Sequence, residues 1–148
     1  MPETLVNHSS FGKAVVPFDL WEPSSAAILV AQKFVSDVHV LYVVPELPAG
    51  DPYVISDEFT DEKRIRHARD KISEQLDEWD SIDSSDLKIH VVVGKPGPQI
   101  AKFAAAIDAD LIVIPSHGRT GLERVILGSV AEHVVRHAKC SVLVLKRQ

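Results

Sequence analysis

The chain has a single cysteine, Cys140, among 148 residues, which excludes an internal disulfide framework and any metal site built from several thiolates. Cys140 precedes an apolar run and is expected to be a buried, inert thiol. Basic excess is also missing: 16 Lys+Arg against 21 Asp+Glu leave a formal charge of -5, so there is no chain-wide positive field for a nucleic-acid backbone. No apolar run approaches the roughly 20 residues that span a bilayer, and Met1–Ser10 has neither a basic nor an apolar leader segment. The expectation is a cytoplasmic protein that engages neither membrane nor nucleic acid. There is no internal repeat, no low-complexity tract, no G-x-x-x-x-G-K-(S/T) phosphate loop, no G-x-G-x-x-G and no G-x-S-x-G nucleophile elbow.

What is present is alternation. Five short runs rich in Val and Ile, Ala14–Phe18, Val38–Val44, Leu87–Val93, Leu111–Ile114 and Val142–Leu145, are mostly continuous, as strands covered on both faces should be. In Leu87–Val93, Lys88 and His90 interrupt the apolar residues, which predicts a half-exposed edge strand. Between the runs lie segments of helical period, Ser24–Val35, Phe59–Trp79, Pro98–Ile107 and Val130–Ala138. Pro98 suits a first helical turn, and Ser129 with Glu132 has the S-x-x-E spacing of a capping box, which predicts that the last helix starts at Ser129. Pro45–Asp57, with Pro45, Pro48 and Pro52, reads as a surface loop. The length suits one domain over residues 1–148, and the order of elements predicts an open α/β sheet.

In such a sheet ligands collect beyond the carboxyl ends of the strands, where strand order reverses. Pro17-Phe18-Asp19 ends the first run, and Pro115-Ser116-His117-Gly118-Arg119-Thr120-Gly121 follows the fourth, leading to Leu127-Gly128-Ser129 and a helix start. Unpaired N–H groups at that start, with glycine beside them, suit a phosphate. Plainer readings stand beside this one: Asp19 as a turn residue, Gly118, Gly121 and Gly128 as turn glycines, and Arg119 as a solvated charge. His133 and His137 lie four apart but lack the glutamate of a zinc-peptidase helix, so no metal is expected. His39 and His90 fall on strands, where structural roles dominate. Trp21, Phe59 and Trp79 are read as packing groups.

Val15-Val16-Pro17-Phe18-Asp19, Leu41-Tyr42-Val43-Val44, Gly94-Lys95-Pro96 and the segment from Ser116 to Ser129 together resemble the universal stress protein family over nearly the whole chain. The family's nucleotide-binding branch has G-x-x-G, nine residues, then G-(S/T). Gly118, Arg119–Leu127 and Gly128-Ser129 match it, while Pro115 stands where the first glycine would. The family commonly has a small hydroxyl residue two positions after the aspartate, where this chain has Trp21.

The resemblance implies a doubly wound, five-stranded parallel sheet of order 3-2-1-4-5 with helices on both faces, and an ATP or AMP site, with or without Mg2+. It carries over onto Pro17, Asp19, Val43, Pro115, His117, Gly118, Arg119, Gly128, Ser129 and Val130. Asp19 would hold the ribose or adenine side, the Val43 backbone the adenine, Gly118 and its neighbours the phosphates, and Ser129 with the Val130 N–H the phosphate oxygens. It also implies a homodimer through Val142–Leu145. The implied function is a stress-response or signalling module without catalytic residues, capable at most of slow ATP hydrolysis. The alternative is an interaction protein of the same fold that binds no nucleotide. A phospho-accepting receiver domain fits poorly, because Asp19 lacks the neighbouring acidic pair.

Overall fold

Each apolar run becomes a strand because Val and Ile suit the pleated backbone and have helices to pack against on either side. The computed structural model describes residues 11–20, 24–49, 60–116 and 127–146. The strands are β1 (Lys13–Pro17), β2 (Asp37–Val44), β3 (Leu87–Val93), β4 (Leu111–Pro115) and β5 (Ser141–Leu145). They alternate with α1 (Ser25–Phe34), α2 (Asp61–Glu78), α3 (Pro96–Ala106) and α4 (Ser129–His137), and a single 3-10 turn, Ser84–Asp86, precedes β3. All strand pairs are parallel, and the order is β3-β2-β1-β4-β5.

Two apolar layers flank the sheet. Ala27, Ile28 and Ala31 of α1 and Ala68, Ile72 and Leu76 of α2 pack with Ala14, Val16, Val38 and Val40 on one face. Ile100 and Ala104 of α3 and Ala131 and Val134 of α4 pack with Val15, Leu41, Ile112 and Ile114 on the other. The alternation of buried residues along each strand thus feeds both layers, and the helices change face between α2 and α3. A right-handed crossover from β3 back past β1 to β4 requires that change, so strand order reverses between β1 and β4. β3 is an edge strand as predicted: Lys88 is exposed and reaches across to Asp37, with Nζ 2.8 Å from Oδ1.

The last helix starts at Ser129 as expected, whereas the start of α3 and the cap of α4 differ from expectation. α3 begins at Pro96, two residues before Pro98; Lys95 is the N-cap and its carbonyl accepts the Gln99 N–H at 3.0 Å. Both prolines fall where helical N–H groups have no partner, so neither breaks the ladder. The capping box at Ser129 does not form. Gly128 is the N-cap, no side chain caps α4, and Glu132 instead pairs with Arg136 one turn on, at 2.8 Å. The Glu132 N–H donates to the Gly128 carbonyl at 2.8 Å, which places Ser129 inside the helix. α2 starts behind Thr60, whose Oγ1 accepts the Lys63 N–H. Trp79 follows α2 and packs against Phe18, ring centroids 5.9 Å apart. Of the expected loop, residues 45–49 are irregular and mostly exposed; the remainder, with Trp21 and Phe59, lies outside the described residues.

Candidate functional site

The strand ends at the reversal point are shaped by two prolines. β1 runs beside β2 through five paired residues, from Lys13↔Asp37 to Pro17↔Leu41, and β4 beside β5 through five, ending at Pro115↔Leu145. β1 and β4, by contrast, are paired at Ala14↔Leu111 and Val15↔Ile112 and then part. Backbone direction explains this. The Phe18 N–H donates to the Leu41 carbonyl on the β2 side, and the Ser116 N–H to the Leu145 carbonyl on the β5 side, both at 2.8 Å. Because successive residues alternate sides, positions 17 and 115 would each direct an N–H toward the other's strand, and proline has none. The β1–β4 ladder has no such bonds there and stops before either strand ends, leaving a crevice between their carboxyl ends where strand order reverses.

Several expected site residues border that crevice. Asp19 is half-buried, two positions beyond β1. Val43 is buried on β2 opposite Val92. The Leu41 carbonyl turns to β1 and the Val44 carbonyl turns to β3, where it accepts the Gly94 N–H at 2.9 Å. Val43, in phase with Leu41, thus directs its N–H and C=O to the β1 side, past the last paired residue Pro17. On the far side, the Gly128 N–H donates to the Ser116 carbonyl at 2.7 Å, tying the start of α4 to the end of β4.

That bond changes the donor set at α4. The Gly128 amide is committed to the protein, whereas the N–H groups of Ser129, Val130 and Ala131 occupy the first helical positions, where no intrahelical acceptor exists. Those amides and the positive end of the helix dipole suit an anion. The Pro17 and Pro115 carbonyls, by the same alternation, offer acceptors toward the crevice. The arrangement has acceptors at the strand ends and donors at the helix start, which fits a molecule with a hydrogen-bond-donating base or sugar and an anionic tail. His117, Gly118 and Arg119, also expected in the site, lie outside the described residues.

The backbone at position 115 is extended strand, and among the described residues only Asp108 and Gly94 have positive φ. Proline therefore costs this position an N–H but imposes no backbone strain.

The sequence did not single out the residues that brace Asp19. The Asp19 N–H donates to Ser24 Oγ at 3.0 Å, and the Leu20 carbonyl accepts from Gln75 Nε2 of α2 at 3.0 Å. A serine at a helix start reads as a cap; only the tertiary contact reveals its other use.

Two pairs of histidines lie elsewhere among the described residues. His39 and His90 meet across β2 and β3, consistent with the roles expected on strands. His133 and His137 stack with centroids 4.1 Å apart, and His137 Nδ1 lies 2.9 Å from the His133 carbonyl. Among the described residues no three His, Cys, Asp or Glu side chains converge as a metal site. Cys140 is half-buried where the sequence suggested full burial, and that burial pushes its thiol above the usual range. No helix among the described residues is long and apolar enough to cross a membrane.

The sequence profile of the universal stress protein family matches residues 10–146. Universal stress protein MJ0531 of Methanocaldococcus jannaschii is 36% identical over 148 aligned residues, covering 93% of this chain and 83% of its own. The solved structure of universal stress protein UspA from Lactobacillus plantarum is 27% identical with a TM-score of 0.73, covering 93% of this chain and 99% of its own. A universal stress protein solved in complex with cAMP shares the fold at 21% identity and a TM-score of 0.58, over 95% of this chain and 100% of its own. With a parallel sheet of order 3-2-1-4-5 and a family profile spanning nearly its full length, the chain belongs to the universal stress protein family.

Proposed function

We propose that this protein holds an adenine nucleotide, ATP or AMP, in the crevice between β1 and β4 and serves as a cytoplasmic stress-response or signalling module. The observation that carries the reading is the early parting of β1 and β4 after Val15↔Ile112, with the Val43 backbone directed to one side of the gap and the α4 amides at the other. Asp19 and Val43 face the nucleoside, the Ser129 and Val130 amides the phosphate oxygens, and Gly118 with its neighbours the remainder of the phosphate chain. The same fold accommodates an adenine nucleotide in the cAMP complex. Any hydrolysis is slow, because among the described residues no pair of carboxylates at the crevice organises Mg2+ and an attacking water.

A second reading has its own observation. Pro115 removes an N–H that would point into the crevice, which favours an interaction protein that has given up the nucleotide. One experiment separates the two. The purified protein is denatured and its supernatant analysed for adenine nucleotide, and melting is followed with ATP, AMP and GTP at about millimolar concentration. Release of adenine nucleotide, or a rise in Tm with ATP or AMP but not GTP, supports the first reading. No released nucleotide together with no shift sinks it. Gly118→Val, which adds a side chain where phosphate approaches, is expected to abolish the shift.

The oligomer belongs to the same proposal. β5 is an edge strand paired on one side with β4, and a homodimer formed through Val142–Leu145 would occupy its open side.

A further inference from the structure

Ser24 occupies the N-cap of α1 but makes no cap bond, with φ -86° and ψ 5° there. Its hydroxyl turns away from the helix, and Oγ accepts the Asp19 N–H at 3.0 Å. A serine that is 2% exposed has given up the usual helix contact for a bond to the turn after β1. On the other side of Asp19, Gln75 Nε2 reaches from α2 to the Leu20 carbonyl at 3.0 Å. Just before it, the Phe18 N–H donates to the Leu41 carbonyl at 2.8 Å, and the Phe18 ring is held by Trp79. Three consecutive residues are therefore each tied by one backbone group to a different element: Phe18 to β2, Asp19 to the start of α1, Leu20 to α2.

This is more bracing than turn closure needs. A short exposed turn can leave such groups to water, whereas here two polar side chains are drawn into partly buried positions to fix the peptide groups around one aspartate. A carboxylate that must accept a hydrogen bond from a ligand gains from being held in place before binding, because less freedom is lost on binding.

Resting on the nucleotide reading above, we propose that Ser24 and Gln75 are positioning residues that hold Asp19 aimed at a donor of the nucleoside, and so set how strongly the protein discriminates nucleosides carrying that donor. The donor is an O–H of the ribose or the amine of adenine; both are chemistry a carboxylate accepts. Ser24, almost fully buried, acts through Asp19 and not on the ligand.

The test is a cycle of ligands against variants, read by calorimetric titration of the full chain. The ligands are ATP, its 2′,3′-dideoxy analogue and purine riboside triphosphate, which lacks the adenine amine. The proteins are wild type, Ser24→Ala and Gln75→Glu, the last replacing the amide donor by a carboxylate of the same shape. In wild type, removing the donor that Asp19 accepts weakens binding by about threefold to tenfold relative to ATP. In both variants that ratio falls toward one, because ATP binding drops while binding of the donor-less analogue is unchanged. The identity of the sensitive analogue names the donor. An equal loss for all three ligands in the variants, or an undiminished ratio, overturns the proposal, as does a wild type that binds all three alike. If wild type binds no ATP, the nucleotide reading itself fails, which is a separate result. Should Ser24→Ala not fold, Gln75→Glu decides the matter alone.

Discussion

His39 Nδ1 lies 2.9 Å from His90 Nε2, with the ring planes 13° apart and the centroids separated by 5.0 Å. The rings thus meet nearly end to end as a hydrogen bond between two imidazoles, with Phe103 of α3 packed near both. One ring must donate and the other accept, so the bond cannot survive with both rings protonated. Asp37 of β2 sits 3.1 Å from His39 Nε2, out of line for a well-formed hydrogen bond, and favours the protonated ring chiefly through its charge.

The pair predicts a loss of stability in mild acid. Burial lowers both histidines from the ordinary 6.5; for His39 the attraction of Asp37 opposes this incompletely while Lys88 and Lys13 add to the lowering, and for His90 the charges of His39, Arg69 of α2 and Lys88 add to it. The unfolded chain therefore takes up protons first. The pair's contribution is intact above 6.5 and is lost as pH falls through 6.5 toward the lower folded-state values. Asp37, held low chiefly by its hydrogen bond from Lys88, loses its contribution only below its ordinary 3.8, in a separate window. The Tm of wild type is expected to fall between about pH 7.5 and about pH 5, and a His39→Leu, His90→Phe double variant to show a shallower fall. Equal slopes in the two proteins would exclude the pair as the cause.

Gly97 is the point where α3 and α4 touch. A Cβ there would stand 2.9 Å from both Cβ and Cγ of His133. Gly97→Ala is expected to lower stability by about 1–3 kcal/mol as the two helices are forced apart, despite alanine's better helix propensity. Adding His133→Ala removes the ring but not its Cβ, so it should recover part of the loss. Urea unfolding of the single and double variants measures both effects.

Pro115 bears on nucleotide affinity through one missing amide. Because position 115 is extended strand, it needs no glycine, and Pro115→Ala should restore an N–H directed into the crevice. ATP affinity is expected to rise by about threefold to tenfold, the value of one neutral hydrogen bond. Titration of wild type and variant decides it; a variant that binds no more tightly would show that the ligand makes no use of that strand end.

The β5 edge permits a test of the dimer that leaves the sheet intact. The Leu145 carbonyl turns inward to accept the Ser116 N–H, so Val144 directs its backbone outward. Val144→Pro removes an outward N–H and spares the β4 ladder. Sedimentation is expected to find a dimer for wild type and a monomer for the variant, with little change in far-ultraviolet circular dichroism. A variant that remains dimeric would move the interface off β5.

Much of the fold was legible because its signals are local. The runs of Val and Ile lay within a residue or so of the observed strand bounds, and the interruption by Lys88 and His90 marked β3 as an edge. Helix caps were harder. The Ser129–Glu132 spacing suggested a cap, yet Gly128 took that position once its N–H found the Ser116 carbonyl, a contact set by where β4 ends. Asp19, Val43 and Ser129 were reached through motif likeness, whereas Ser24 and Gln75 carry no local mark.

The sequence by itself determined the alternation of strands and helices, the edge character of β3, the lack of a thiol framework and the family likeness, since each depends on residue type and short-range period. Tertiary structure alone decided that β1 and β4 part where Pro17 and Pro115 would otherwise exchange N–H groups, that Ser24 serves Asp19 instead of its own helix, and that two histidines 51 positions apart share one hydrogen bond. Each of these depends on which backbone and side-chain groups meet across distant elements, and a partner of that kind has no period to be read along the chain.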